Sequence, residues 1–140
     1  MNPLKTNLAF AIPMLTLLTL PSIVMADTFS GKLNGHGCAH AGTTCPVDRL
    51  DPHLALESDF VLQKDDGDYY FLTDMPTSVK RRHALAIVKV DGKLNEKYGA
   101  INVNEFRVKK GDSYKLMWSK AMQKKERESL EDAGLPFFLP

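Results

Sequence analysis

A chain of 140 residues with eighteen basic and seventeen acidic side chains, net +1 with its histidines neutral, lacks the basic excess that a nucleic-acid-binding surface needs. Its 44% hydrophobic content supports one modest core and not two. With only two cysteines and four histidines, any metal or thiol chemistry falls to a few positions.

Residues 1–26, MNPLKTNLAFAIPMLTLLTLPSIVMA, read as a signal peptide. Lys5 is the one charge, an apolar run extends from about Leu8 to Leu20, and Val24-Met25-Ala26 after Pro21 suits a cleavage site. Pro13 and Pro21 interrupt the run, which is shorter than the roughly 20 residues of a bilayer span. No membrane span is therefore expected after cleavage, and no cysteine follows the run to carry a lipid anchor. Cleavage removes Lys5 and no acid, leaving seventeen basic and seventeen acidic side chains. The short basic leader suits a bacterial exported protein, periplasmic or secreted. In that oxidising space two cysteines are expected to pair.

From Asp27 the mature chain reads as one small domain. TFSGKLNG, Thr28 to Gly35, alternates weakly, as a short opening strand does. A segment rich in glycine, cysteine and histidine follows without periodicity. FVLQKDDGDYYFLT then gives two strands, Phe60 to Lys64 and Tyr69 to Thr73, around an Asp-Gly turn. In DMPTSVKRRHAL, Asp74 can cap and Pro76 can open a short helix with Val79 and His83 four apart. Lys80-Arg81-Arg82-His83 reads as a solvated helix face. LAIVKVDGKLN and YGAINVNEFRVKKGD supply two more strands, with room for a bulge at Asp91-Gly92 and a phase shift near Asn104-Glu105. From Tyr114 or Leu116 to Ala133 the composition is helical. Lys124 and Glu128, and Arg127 and Glu131, are spaced to pair, and Gly134 with Pro136 ends the helix. Leu116, Met117, Trp118, Met122 and Leu130 would form a sparse stripe docking that helix on the core. The apolar tail LPFFLP either folds back or meets a partner.

The stretch Ile87 to Val108, IVKVDGKLNEKYGAINVNEFRV, resembles the fourth and fifth strands of OB-fold domains in small exported bacterial proteins. In those, a V-x-V-x-G strand precedes a linker and an I-x-V-x-x-hydrophobic strand. DGDYYFLTD corresponds to the end of the preceding hairpin, and MPTSVKRRHA to the helix between the third and fourth strands. The resemblance implies a mainly β fold with α elements: a small, five-stranded, partly open OB-fold-like barrel over residues 27–112, with a short helix between strands. The C-terminal helix and apolar tail would occupy 113–140. A binding role comes with the resemblance, and no catalytic residues.

Both cysteines and three of the four histidines fall in GHGCAHAGTTCPVDRLDPH, Gly35 to His53. Thiolate and imidazole together suit copper or zinc, and His36, Cys38, His40 and Cys45 form a candidate ligand set, with His53, Met75 and His83 as auxiliary donors. His53 beside Pro52, and His83 beside Arg82, are more ordinary as hydrogen-bonded residues. The spacing Cys-x6-Cys lacks the second ligand pair of a structural zinc site, and neither a haem-attachment motif nor Cys-x-x-Cys is present. A Cys38–Cys45 disulfide bracing the segment is the leading reading, the metal site the alternative, and a reactive thiol pair the third. Asp65, Asp66 and Asp68 lead to Pro76 rather than to the glutamate of a calcium loop, so a turn is expected there. No nucleophile elbow, phosphate loop or His-Glu-x-x-His motif is present. The expected function is a non-enzymatic binding or accessory protein of the bacterial envelope. It needs no cofactor and engages an envelope protein or a small ligand. In the alternative it binds copper or another transition metal.

Overall fold

The computed structural model describes residues 26–46 and 52–136. Residues 1–25, which hold the expected leader apart from Ala26, residues 47–51 and the tail residues 137–140 lie outside them. In chain order the elements are β1 (Asp27–Gly35), α1 (His36–His40), α2 (Pro52–Leu56), β2 (Phe60–Gln63), β3 (Tyr69–Thr73), α3 (Thr77–Arg82), β4 (Ile87–Asn95), a 3₁₀ turn (Glu96–Tyr98), β5 (Ala100–Lys110), β6 (Ser113–Ser119) and α4 (Lys120–Asp132). The strands form a mainly antiparallel sheet in the order β3-β2-β1-β4-β5-β6. β1 is shared along its length: Asp27 to Lys32 pair with β4, and Lys32 to Gly35 pair with β2. The start of β5 also pairs in parallel with β3, Leu72 opposite Ile101, so the first five strands curl into a partial ring.

Period-two patterning fills the inside of that ring. Val88 and Val90 on β4, and Ile101, Val103, Phe106 and Val108 on β5, are all buried against Leu33, Phe60, Leu62 and Leu72. The apolar phase of β5 changes between Val103 and Phe106 because Asp91 faces Glu105 while Gly92 faces Val103. Asn104 is the extra residue of that bulge. A bulge bends its strand and raises its twist, which lets one long strand serve both the ring and β6. The hairpin expected after β2 also forms. The Lys64 and Gly67 amides donate to the Asp68 and Lys64 carbonyls at 2.8 and 3.1 Å, and the Asp68 amide donates to Asp66 Oδ1 at 3.0 Å.

Three expectations change. The sheet has six strands, because Ser113–Ser119 is strand rather than the first turns of a helix. Gly111, with φ 59°, and Asp112 make a two-residue turn between the paired residues Lys110 and Ser113, and this turn forces the chain back along β5. The helix begins only at Lys120, where the Ser119 hydroxyl accepts from the Met122 amide at 3.1 Å. α4 buries none of its residues and Met122 is exposed, so the apolar stripe divides. Trp118 enters the core from β6, while α4 lies outside it. The helix stops as its glycine predicts, with the Gly134 and Leu135 amides donating to the Glu131 and Leu130 carbonyls.

The third change concerns Asp74, which does not cap α3; Pro76 holds the capping position. Asp74 adopts a left-handed φ of 62°, and its carboxylate meets the Lys120 ammonium at 2.9 Å. That ammonium also donates to Asn102 Oδ1 at 2.5 Å, tying α4 to β5 and to the end of β3. The hydrogen bond from Lys120 holds the Asp74 carboxyl below its ordinary value. The link is therefore complete at neutral pH and is lost as pH falls through the acid range where the folded-state carboxyl protonates. Both partners are half exposed, so Lys120→Ala is expected to cost less than about 1 kcal/mol. In an NMR pH titration it should return Asp74 toward the ordinary carboxylate range. An unshifted Asp74 titration would remove Lys120 as the cause.

Candidate functional site

The Cys/His segment is ordered by two residues that its own composition does not reveal. Asn34, the penultimate residue of β1, is fully buried. Its amide nitrogen donates to the Thr43 carbonyl at 2.8 Å and to Gln63 Oε1 at 2.7 Å. Its Oδ1 accepts from the Gly35 and Cys45 amides at 3.0 and 2.9 Å. All four hydrogen-bonding positions of the side chain are thus used, and one side chain pins Thr43 and Cys45 to the sheet. Glu57 is the second, its Oε2 accepting from the Gly37 amide at 3.0 Å. The carboxylate reaches that amide only because residue 35 is glycine. A Cβ there would stand 2.5 Å from Glu57 Cδ, inside the contact limit.

Cys38, in the middle of α1, and Cys45 stand at disulfide distance with their Cα atoms 5.4 Å apart. Neither is free. Cys45 is buried in the core cluster and Cys38 is half-buried beside it. The Thr43 amide donates to the Cys38 carbonyl at 2.9 Å inside the loop that the pair closes. Among the described residues, Cys38, Cys45 and Glu57 form a group whose ligand atoms lie within 4.8 Å of one another. Oε1 of Glu57 is 3.8 Å from the Cys45 sulfur. Two thiolates and a carboxylate at that spacing could hold a borderline cation such as zinc. Joined as a disulfide, the same sulfurs offer no thiolate and serve only to close the loop.

The histidines of the candidate set belong to a different cluster. His36 and His40, four apart on α1, have ring centroids 6.1 Å apart. The His36 ring packs on Phe71 at 5.0 Å and on Tyr69 at 5.8 Å. His40 Nδ1 lies 3.2 Å from the Tyr69 hydroxyl. Tyr69 and Phe71, two apart on β3, present one face of the strand, while Tyr70 packs against the core and Leu72 enters it. The sequence motif therefore resolves into a sulfur side anchored inward by Glu57 and Asn34 and an imidazole side lying over the aromatics of β3.

The auxiliary donors lie elsewhere. Met75 is buried on the β3–α3 connection, where it lines a cleft with Lys120, Gln123 and Arg127 of α4. His83 caps the C-terminal end of α3, its ring 5.9 Å from Phe106. His53 stands in α2, and its side chain lies outside the described residues. Lys80 departs from its expected solvated face: it is buried, its ammonium paired with the Asp59 carboxylate and donating to the Leu72 carbonyl at 3.1 Å. Asp59 stands at the head of β2, where its carbonyl accepts from the His36 amide at 3.0 Å, so Lys80 supports the segment from below.

Among the described residues, no helix is long and apolar enough to cross a membrane. No protein-family model, no curated protein and no solved structure matches this chain.

Proposed function

We propose that this chain is an exported, non-enzymatic binding protein of the bacterial envelope, built on an OB-fold-like barrel. It engages its ligand or envelope partner across the face formed by α1 and β3. The barrel reading is supported by the ring order β1-β2-β3-β5-β4, by the division of β1 between β4 and β2, and by α3 lying between β3 and β4. In OB-folds the face of the second and third strands, with the loop joining the first two, takes ligands. Here that loop carries the Cys/His segment. One observation carries the binding reading: His36, His40, Tyr69 and Phe71 cluster at that position on a segment braced by Cys38–Cys45, Asn34 and Glu57. Aromatic and imidazole rings offer large contact area at low entropy cost, and a braced backbone reduces the ordering that binding must offset.

The reading is tested on protein purified from the periplasm of a bacterial host. Intact mass should correspond to a chain beginning at Asp27 and lacking two hydrogens for the Cys38–Cys45 bond. Uniformly ¹⁵N-labelled protein, titrated with small-molecule and macromolecular fractions of periplasmic extract, should shift amides at 36–40 and 69–73. Shifts confined to β6 and α4, or no shift with any fraction, would overturn it.

A second reading, a periplasmic metal protein, draws support from the 4.8 Å grouping of Cys38, Cys45 and Glu57. It requires the reduced thiols. Stoichiometric metal in the purified protein, together with two titratable thiols, would favour it over the first.

A further inference from the structure

We propose that His36 and His40 form a chelating pair for a divalent transition-metal ion, Cu(II) foremost, and that the Cys38–Cys45 bridge locks this pair in place. The proposal rests on the reading of the α1–β3 face as the binding face, and it names that face's ligand class.

Four-residue spacing on a helix brings two side chains to one face, and paired histidines at that spacing ligate zinc in metalloproteases. With ring centroids 6.1 Å apart, modest side-chain rotation lets one nitrogen of each ring approach a shared ion at about 2.0–2.1 Å. The second coordination sphere is also present. The Tyr69 hydroxyl oxygen lies 3.2 Å from His40 Nδ1. In the tautomer whose Nδ1–H donates to it, the Nε2 lone pair is left for the metal and the hydroxyl holds the ring, as partners of ligating histidines do. Phe71 and Tyr69 back the His36 ring.

Metal preference follows from what the bridge removes. Cys38 lies between the histidines in sequence, and a thiolate there would favour soft ions such as Cu(I). Bonded to Cys45, it contributes no ligand. Two neutral imidazoles with open positions for water suit Cu(II), Ni(II) or Zn(II), and among these divalent ions Cu(II) binds most tightly.

The lock follows from length. α1 has five residues, far below the roughly 12–15 at which an isolated helix becomes even marginal in water. It is held by the Cys38–Cys45 pair, by its Gly37 amide on Glu57, and by its His36 amide on the Asp59 carbonyl. Without the bridge the two imidazoles lose their fixed spacing, and a chelate becomes two separate weak ligands.

The test uses the mature, oxidised chain and Cu(II) supplied from a glycine buffer. Calorimetry should give one Cu(II) per chain, and electron paramagnetic resonance should report two imidazole nitrogens. His36→Asn and His40→Asn should each weaken binding about 10–100-fold, and Tyr69→Phe by the lower end of that range. Cys38→Ser/Cys45→Ser should also weaken binding, whereas His53→Ala and His83→Ala should not. A measurement independent of variants is paramagnetic broadening of wild-type amides, expected at 36–40 and 69–71. Sub-stoichiometric binding, broadening elsewhere, or affinity that survives the double His36→Asn/His40→Asn change would overturn the proposal. If copper fails while the extract titration still shifts 36–40 and 69–73, only the metal assignment falls. If both fail, the binding face itself is wrong.

Discussion

Lys80→Met is expected to lower the unfolding free energy by about 3 kcal/mol, the lower part of the range for breaking a buried ion pair by removing one partner. Methionine keeps the apolar stem, so the loss isolates the ammonium. Two groups are left behind: the Asp59 carboxylate, and the Leu72 carbonyl that accepted from Lys80 at 3.1 Å. The Asp59 side chain keeps 31% exposure while Lys80 keeps 3%. Water can therefore partly resolvate the carboxylate, which sets the expectation at the low end. Asp59 also accepts the Phe60 amide at 2.8 Å through its carboxylate, so its position governs the start of β2. For a domain of this size the melting temperature should fall by about 10–20 °C, and urea unfolding should show the loss at an unchanged slope. The double variant Lys80→Met/Asp59→Asn should recover part of the deficit, because the orphaned charge is then gone. A loss below about 1 kcal/mol for Lys80→Met alone would mean that the pair behaves as a surface bridge.

Lys80 also marks where sequence reasoning stops. In Lys80-Arg81-Arg82-His83 four cationic or basic positions run together, and composition offers no means of choosing which one turns inward. The choice is made by the short α3 lying over β2, a tertiary fact. What was legible obeyed local rules. The hairpin of β2 and β3 followed from its Asp-Gly turn, and the bulge at Asn104 from a broken alternation within one strand. The end of α4 followed from Gly134. The sixth strand had a local signal too, since Gly111-Asp112 between Lys110 and Ser113 is a two-residue hairpin turn. Strong helix formers downstream outweigh it, so composition places the helix start at Tyr114 or Leu116, six or four residues before Lys120. The pairing of Cys38 with Cys45 follows from their proximity and from the oxidising destination that the sequence leads one to expect. The division of the same motif into a sulfur side and an imidazole side did not. It depends on Glu57, Tyr69 and Phe71, which are distant in sequence and ordinary in composition.

Asn34 is the least conspicuous of these residues, and its replacement by leucine is expected to be as costly as the loss of Lys80. Leucine keeps the branching at Cγ, though its methyls are bulkier than the amide, and removes all four hydrogen bonds at a position with no solvent access. The Cys45 and Gly35 amides, the Thr43 carbonyl and Gln63 Oε1 are then left to find other partners. Each buried orphan costs about 1–3 kcal/mol, but the Thr43–Cys45 stretch can swing outward and rehydrate, so a net loss of about 3–4 kcal/mol is expected. That escape gives the variant a signature that a simple packing defect lacks. Hydrogen exchange at the Cys45 and Gly35 amides should accelerate beyond the change in global stability, while the disulfide remains intact by mass. Asn34→Asp separates the two halves of the side chain. Its carboxylate keeps an acceptor for the Cys45 and Gly35 amides but turns a charge toward Gln63 Oε1 and the Thr43 carbonyl. Burial against those acceptors should raise its pKa, so the folded state binds the extra proton and the variant gains stability as pH is lowered. Equal exchange at Cys45 in wild type and Asn34→Leu would sink the assignment of Asn34 as the anchor. If the assignment holds, the disulfide closes the loop but Asn34 decides where the loop sits. The spacing of His36 and His40 over Tyr69 and Phe71 then depends on an asparagine at the end of β1 as much as on the two cysteines.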